Sequence, residues 1–390
     1  MSRTPLTQAD CYVDEDVGRA ESLPARAFTE TEFLERELAT VFARHWLLVP
    51  DCGSPGEAGE PPLAERLAVR GARLPITVAG RPLLLQRGWN DDVLRAFPNV
   101  CTHAWYPLAL GPSRGPHIIC GQHGRKFDCT GRFLSQVGFG EGLADFPRPC
   151  DHLRSLPLES WGPLLFVASE PPGASLAETL GPVQESVAHL PLAEWRAGRA
   201  PVSMREVEGN WKQHTWNYLD SFHVAHIHRA PGGLADAIDL ADYHTELHPH
   251  GVLQWVWARR PEHGFDPALM PPRMRHPERR VFALWWFVFP NLTLNFYPWG
   301  LSINVYNPVP GQPERTEFLW LHLVGDERRY EDRDRIWLGE QVDREDIDAL
   351  RQVRRALRGG GAPRGRFAPS YEAGPHWFHR RVYREVFEVR

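Results

Sequence analysis

Hydrophobic and polar positions follow two different rhythms along this chain. In TETEFLERELATVFARHW (29–46), Phe33, Leu34, Leu38, Val41, Phe42 and Trp46 recur at helical spacing, which predicts a helix. Thr29, with Glu32 three residues on, reads as its N-cap. From about Val49 to Ser169 the rhythm changes. Short apolar runs (LPITVA, PLLLQRG, HIICG, GPLLFVAS) are separated by Gly, Pro, Asn and Asp, which predicts a small all-β domain. PPGASLAETLGP (171–182) reads as a linker running into a short helix. Beyond it, VLQWVWARR, VFALWWFVFP, LTLNFYPWG, LSINVYNPV and TEFLWLHLVG read as wide strands among long helical patterns. The expected class is α+β, with an antiparallel sheet and helices on one side forming the second half.

Length and composition narrow the picture. At 390 residues the chain holds two ordinary domains or three. With 42% hydrophobic and 24% charged residues it has the makings of a real core. A formal charge of −5 offers no basic face to nucleic acid or to anionic lipid. The stretch MSRTPLTQADCYVDEDVGRA is polar throughout, so no secretion signal and a cytoplasmic setting are expected. The longest apolar run, VFALWWFVFP, is too short to span a bilayer and reads as a buried strand. Six cysteines (Cys11, Cys52, Cys101, Cys120, Cys129, Cys150) all lie in the first 150 residues. Without a secretion signal they make a poor disulfide scaffold.

The first chemical constellation is CTHAWYPLALGPSRGPHIICGQHG. It holds Cys101-x-His103, sixteen intervening residues, then Cys120-x-x-His123. Each loop offers one thiolate and one imidazole. A zinc finger usually pairs Cys with Cys and His with His. The mixed order suits a [2Fe–2S] cluster in which one iron takes both sulfurs and the other both imidazoles. A structural zinc site is the alternative. Gly111, Gly115, Gly121 and Gly124, with Pro107, Pro112 and Pro116, crowd these loops, as tight turns require.

The second constellation is NYLDSFHVAHIH (217–228), with Asp220, His223, His226 and His228. On a helix Asp220 and His223 share a face, and His226 is the easier helical partner of His223. His228 joins His223 only if the helix ends or bends between them. Spacing alone leaves that choice open. A mononuclear iron(II) site of the oxygenase kind takes two histidines and a carboxylate on one face. DRDRIWLGEQVDREDIDALRQVRRALRGGG supplies the carboxylate. At about 100° per residue, Leu338, Val342, Ala349, Leu350, Val353 and Leu357 form an apolar stripe with Asp346 near its middle. Asp343, Glu345 and Asp348 fall toward its edges or on the polar face. A carboxylate aimed into a core is costly unless paired or metal-bound. A salt bridge to an arginine is the competing reading.

Together these residues resemble the oxygenase (alpha) component of the Rieske non-haem iron oxygenases, the ring-hydroxylating family that includes choline- and carnitine-monooxygenase-like enzymes. The resemblance extends over nearly the whole chain. It is carried by FARHW, the Cys101/His103 and Cys120/His123 pairs, NYLDSFHVAHIH, FPNLTLNFYPWGLSINVYNPV, EQVDREDIDALRQV and EAGPHWFHR. It implies an N-terminal helical segment (1–46), an all-β Rieske [2Fe–2S] domain (47–170) and a helix-grip-like catalytic domain (171–390). Its pattern Asp-x-x-His-x4-His makes His223 and His228 the iron ligands, with Asp346 the third and His226 in the spacer. Asp220 resembles the family's bridging carboxylate, hydrogen-bonded to a cluster histidine on one side and an iron-ligating histidine on the other. Two departures stand near the cluster: Ala104-Trp105 after His103, where Arg-Gly is common, and Gly121-Gln122 after Cys120, where Pro-Tyr is common.

The resemblance also implies partners and chemistry. A separate reductase fed by NADH or NADPH, in some systems through a ferredoxin, delivers electrons to the cluster. The cluster passes them to the iron across a homotrimer interface. Oxygen then enters a small aromatic, quaternary-ammonium or N-methyl substrate by hydroxylation or oxidative demethylation. Neither nucleic acid nor membrane is an expected partner. Trp255, Trp257, Trp285, Trp286 and Trp299 are expected either as pocket walls or as plain sheet core. Two rival classes are a Rieske electron carrier without oxygenase activity and a zinc-stabilised binding protein.

Overall fold

The computed structural model describes residues 4–50, 61, 63–197, 203–337 and 339–389. Cys52 and Leu338, both singled out by the sequence, lie outside the described residues. The chain divides into two compact units, Arg44–Gly173 and Met1–Ala43 with Ala174–Arg390.

The Arg44–Gly173 unit is built from short antiparallel strands. β1 (Ala72–Val78), β2 (Arg81–Arg87) and β3 (Leu94–Pro98) form a meander, with Ser113–Arg114 on its outer edge. β4 (His117–Ile119), β5 (Lys126–Asp128) and β6 (Phe133–Ser135) form a second, smaller one. Between them Leu84, Phe97, Ile118, Phe127 and Phe133 pack into one core, which also takes in Cys101 and Cys120. The two cysteine–histidine pairs sit on the connections after β3 and after β4. Of the four loop glycines the sequence pointed to, only Gly124 has a left-handed backbone, at φ +67°. The other left-handed residue in these loops is Trp105, at φ +60°.

The second unit is dominated by an eight-stranded antiparallel sheet, counted among the described residues, whose shortest strand, Arg196–Ala197, lies at one edge against Leu323 and Val324. β7 (Ser203–Glu208) pairs with β13 (Gln312–Val324), and from β13 the order runs through β12 (Gly300–Val309), β11 (Leu292–Tyr297), β10 (Val281–Val288) and β9 (Gly251–Ala258) to β8 (Ile238–His248). All eight residues of β9 and all eight of β10 are buried, as expected of strands covered on both faces. Cross-strand pairing aligns Gln254, Trp285, Asn295, Ser302 and His322 in one row over five strands. Since side chains alternate faces, the whole row looks to one side.

Two helical segments matter most for that face. α1 (Thr31–Thr40) begins after Glu30, not at Thr29, and Glu30 makes no side-chain cap. The Thr29–Glu32 capping box therefore does not form, because Arg26–Thr29 is already a separate helical turn. The buried carboxylate of Glu37 on α1 accepts from Lys212 Nζ (3.0 Å) and from the Trp211 indole N–H (3.0 Å). These begin α2 (Trp211–Leu219), whose N-cap Asn210 accepts from Lys212 N–H while Gln213 reaches back to Asn210 N–H. Lys212 also lies 5.1 Å from the Phe28 ring and 5.5 Å from that of Phe33. The ion pair thus locks the N-terminal helix to the helix that leads into the histidine motif.

Removing one half of a fully buried pair leaves an uncompensated charge. Lys212→Met is expected to destabilise the second unit by roughly 3–5 kcal/mol, and Lys212→Met with Glu37→Leu to recover most of that. Denaturant unfolding checks both, and a single-variant cost below about 1 kcal/mol would contradict the assignment.

Candidate metal centres and the adjoining cavity

α2 stops at Asp220. The Asp220 carboxylate accepts from Phe222 N–H at 2.7 Å, an Asx-type turn that ends the helix. The chain then makes one further turn, α3 (Val224–Ile227), with His223 at its start and His228 at its end. This interruption brings His223 and His228 together: their Nε2 atoms are 3.2 Å apart. Asp220 and His223 do not share a continuous helix, yet His223 Nδ1 lies 3.5 Å from Asp220 Oδ2.

The third group comes from α4 (Gly339–Arg358). Asp346 Oδ1 is 3.1 Å from His228 Nε2 and 3.6 Å from His223 Nε2. Among the described residues, His223, His228 and Asp346 are the set whose ligand atoms all fall within 4.8 Å of one another. His228 is 1% exposed, and Asp346 Oδ1 is buried without a hydrogen-bond partner. Glu345 supplies what the sequence did not flag. Its Oε2 stands 2.8 Å from His228 Nδ1, and its other oxygen accepts from Gln341. With Nδ1 engaged by Glu345, His228 turns the lone pair of Nε2 toward His223 and Asp346. Burial works against positive charge on His228, but Asp346 and Glu345 outweigh it and raise its proton affinity. Three converging lone pairs therefore call for a cation, and two imidazoles with one carboxylate are the donor set of a mononuclear iron(II) centre. His226 is exposed, its ring edge-on to Phe222 at 5.8 Å, and takes no part.

The apolar stripe on α4 holds only in part. Val342, Asp346 and Leu350 face inward, but Val353 is 45% exposed. The last turns are held instead by ion pairs: Arg351 and Arg354 to Glu208, and Arg358 to Glu314.

Beside the three converging groups lies a cavity of about 150 Å³. Its floor is the cross-strand row. Tyr243 stacks on Trp285 (5.9 Å, 23°) and Tyr297 on Trp299 (5.4 Å, 12°). Of the five tryptophans singled out by the sequence, only Trp285 and Trp299 line this space, and Trp320 joins them. The indole N–H of Trp299 is buried with no acceptor. Two further histidines in the wall stay neutral. Burial depresses His214 to about 4, and burial with nearby Arg333 takes His322 to about 3.

In the other unit, Cys101 and Cys120 are buried, while His103 is half-buried and His123 exposed. The two thiols are within hydrogen-bond reach, and the two imidazole rings sit 4.8 Å apart. Burial raises the Cys101 thiol, while the backbone N–H groups of His103 and Ala104 point at it and act in the opposite sense. The four groups do not converge on one point as zinc ligands at 2.0–2.3 Å must. A sulfur pair inside and an imidazole pair outside match a two-iron cluster with one iron on each pair. Both donor sets fit their groups.

Residues 192–387 match the family described as ring hydroxylating alpha subunit (catalytic domain), and residues 62–140 match the Rieske [2Fe–2S] domain. The chain is 25% identical over 350 residues to the carnitine monooxygenase oxygenase subunit of Escherichia coli (strain K12), covering 87% of this chain and 85% of that one. It is 25% identical over 375 residues to the chloroplastic choline monooxygenase of Spinacia oleracea, covering 92% and 77%. Among solved structures, a quaternary ammonium Rieske monooxygenase described as oxidising carnitine, with inter-subunit electron transfer, superposes with TM-score 0.73 at 20% identity over 99% of this chain and 100% of that one. Naphthalene 1,2-dioxygenase superposes with TM-score 0.66 at 17% identity over 95% and 94%.

Two outcomes follow from this geometry. Glu345→Gln is expected to weaken metal binding at the His223/His228/Asp346 centre about 10–100-fold, read by chelator competition, while His226→Ala leaves it unchanged. Retention of the metal by His228→Ala would overturn the ligand set. Stability is also expected to fall as pH drops from about 6.5 to about 4. The unfolded chain takes up protons on His214 and His322 there, and the folded chain does not. His214→Gln with His322→Gln should flatten that slope in pH-dependent unfolding.

Proposed function

This chain belongs to the family of ring-hydroxylating alpha subunits and carries a Rieske [2Fe–2S] domain ahead of its catalytic domain, and from that premise we propose that it oxidises a small quaternary-ammonium or N-methyl substrate. The chain is a Rieske non-haem iron oxygenase with a [2Fe–2S] cluster and a mononuclear iron, acting with O2. Among the described residues, no helix is long and apolar enough to cross a membrane. In our reading Cys101, His103, Cys120 and His123 hold the cluster within residues 47–170. His223, His228 and Asp346 hold the iron within 171–390, which with the segment 1–46 forms the catalytic part. The cluster supplies single electrons and the ferrous ion the site of O2 activation.

The chain's own groups position the rest. Glu345 fixes the ring of His228, and Asp220 stands 3.5 Å from His223 Nδ1, on the other side of that ring. Asp220 then serves as the link through which a cluster histidine of a second copy reaches His223. The observation favouring that link is exposure: Phe222 (47%) and Tyr371 (50%) stack at 4.8 Å in contact with the Asp220 turn, while Trp105 stands exposed on the cysteine–histidine loop after β3 and Val137 on the segment after β6. A homotrimer, fed by an NAD(P)H-dependent reductase, uses both surfaces.

The observation that carries the substrate class is the cavity wall. Stacked aromatic faces attract a cation without demanding a hydrogen bond, as a quaternary ammonium requires. At the same time the unpartnered Trp299 N–H, with His322 5.0 Å away and Arg333 nearby, offers donors for an acceptor at the substrate's other end. A zwitterion of that kind fits both features.

Purified protein should contain about three irons and two sulfides per chain, with a Rieske EPR signal, and should consume oxygen with a chemical reductant and an N-methylated betaine more readily than with naphthalene. Co-expressing a Cys101→Ser/Cys120→Ser chain with an Asp346→Ala chain should restore the activity each lacks alone. Mixed trimers that stay inactive would rule out transfer between copies, and preference for naphthalene would rule out the substrate class.

A further inference from the structure

One fully buried cation lies beside the cysteine–histidine loops, and neither the ligand set nor the substrate reading uses it. Arg125 is 1% exposed, and its backbone oxygen accepts from Cys120 N–H at 2.9 Å. Its guanidinium lies 4.8 Å from the Phe133 ring, 5.0 Å from Phe139 and 5.9 Å from Phe146. Nη2 donates to Asp151 Oδ1 at 2.5 Å, Nη1 donates to Gln136 Oε1 at 3.3 Å, and Nε is buried without a partner. Gln136 continues toward the cluster ligand: its amide nitrogen stands 3.2 Å from His103 Nδ1. Phe139 forms a second bridge, edge-on to the His103 ring at 5.0 Å. Holding a guanidinium among three phenyl rings is expensive, and an apolar side chain of similar size would fill the space at less cost. Packing alone therefore does not account for the charge.

We propose that the buried Asp151–Arg125 pair beside the cysteine–histidine loops sets the reduction potential of the cluster, with Arg125 raising it and Asp151 lowering it. The inference rests on the reading of Cys101, His103, Cys120 and His123 as cluster ligands. Reduction adds one electron, so a fixed cation nearby favours the reduced form and a fixed anion disfavours it. A guanidinium does not lose its charge, and burial spares it most solvent screening. Asp151, with a side chain 15% exposed, is the better solvated partner, so the positive end of the pair acts the more strongly on the cluster. Arg125 is thus a positioning residue: it acts on the cluster through space, without being a ligand.

The test is a potentiometric titration of the intact, cluster-loaded protein at one pH, followed by its Rieske EPR signal, with iron and sulfide counted in each variant. Arg125→Gln should shift the oxidised-to-reduced ratio at a fixed poise about tenfold toward the oxidised form, ~59 mV for a one-electron couple. Asp151→Asn should shift it the opposite way. The double variant should fall between wild type and Arg125→Gln, and Arg125→Lys should stay nearer wild type than Arg125→Gln. Shifts in the same direction for Arg125→Gln and Asp151→Asn, or no shift in either, would overturn the proposal, because a merely structural role has no sign. Should Arg125→Gln fail to hold a cluster, Asp151→Asn decides alone: a raised potential supports the proposal and an unchanged or lowered one refutes it. A wild-type chain without a Rieske signal would instead refute the ligand reading itself.

Discussion

Two imidazoles and a carboxylate, packed with their lone pairs toward one another, repel unless a cation is shared among them, and much of the second unit serves to hold them in place. The groups come from segments more than a hundred residues apart, and both are fastened away from the centre. α2 is tied at its start by the buried Lys212–Glu37 pair and the Asn210–Gln213 box. α4 is tied at its far end by Arg351, Arg354 and Arg358 on Glu208 and Glu314. With the ends fixed, neither segment can relax the crowding by drifting apart. The repulsion becomes affinity for a metal.

The same cavity treats its histidines in opposite ways. His228, flanked by two carboxylates, is made more receptive to positive charge. Burial drives His214 to neutrality despite the more weakly felt Asp346, and burial with Arg333 does the same to His322. Burial is common to all three; the position of the acids decides the outcome. Among these three histidines, positive charge is thus favoured only at the corner with the acids, and His214 and His322 leave their part of the wall neutral.

Much of this was legible before any coordinates. The mixed Cys–His order separated a cluster from a finger, because a cluster needs its sulfurs and imidazoles in separate pairs. The helical phase of Asp346 exposed a carboxylate aimed inward. What stayed hidden depended on groups distant in sequence or on which face a strand presents. Strand alternation has no absolute phase until neighbours are known, so five tryptophans looked equivalent although only two face the cavity. Glu345 sat at the stripe's edge and looked like solvated surface until His228 arrived beside it. Thr29 looked like a cap because the turn just before it, Arg26–Thr29, was not visible in the periodicity. Nothing local in the sequence marks Arg125 as buried among Phe133, Phe139 and Phe146.

The row Gln254, Trp285, Asn295, Ser302 and His322 has a consequence of its own. Each of its members stands on a different strand, and the strands are joined through main-chain bonds that ignore side-chain identity. The strand register therefore does not depend on which side chain stands at each of the five positions. Relatives sharing only about a fifth of their residues with this chain keep the same fold. A lineage built on such a floor can change its diet one residue at a time while its metal chemistry stands still.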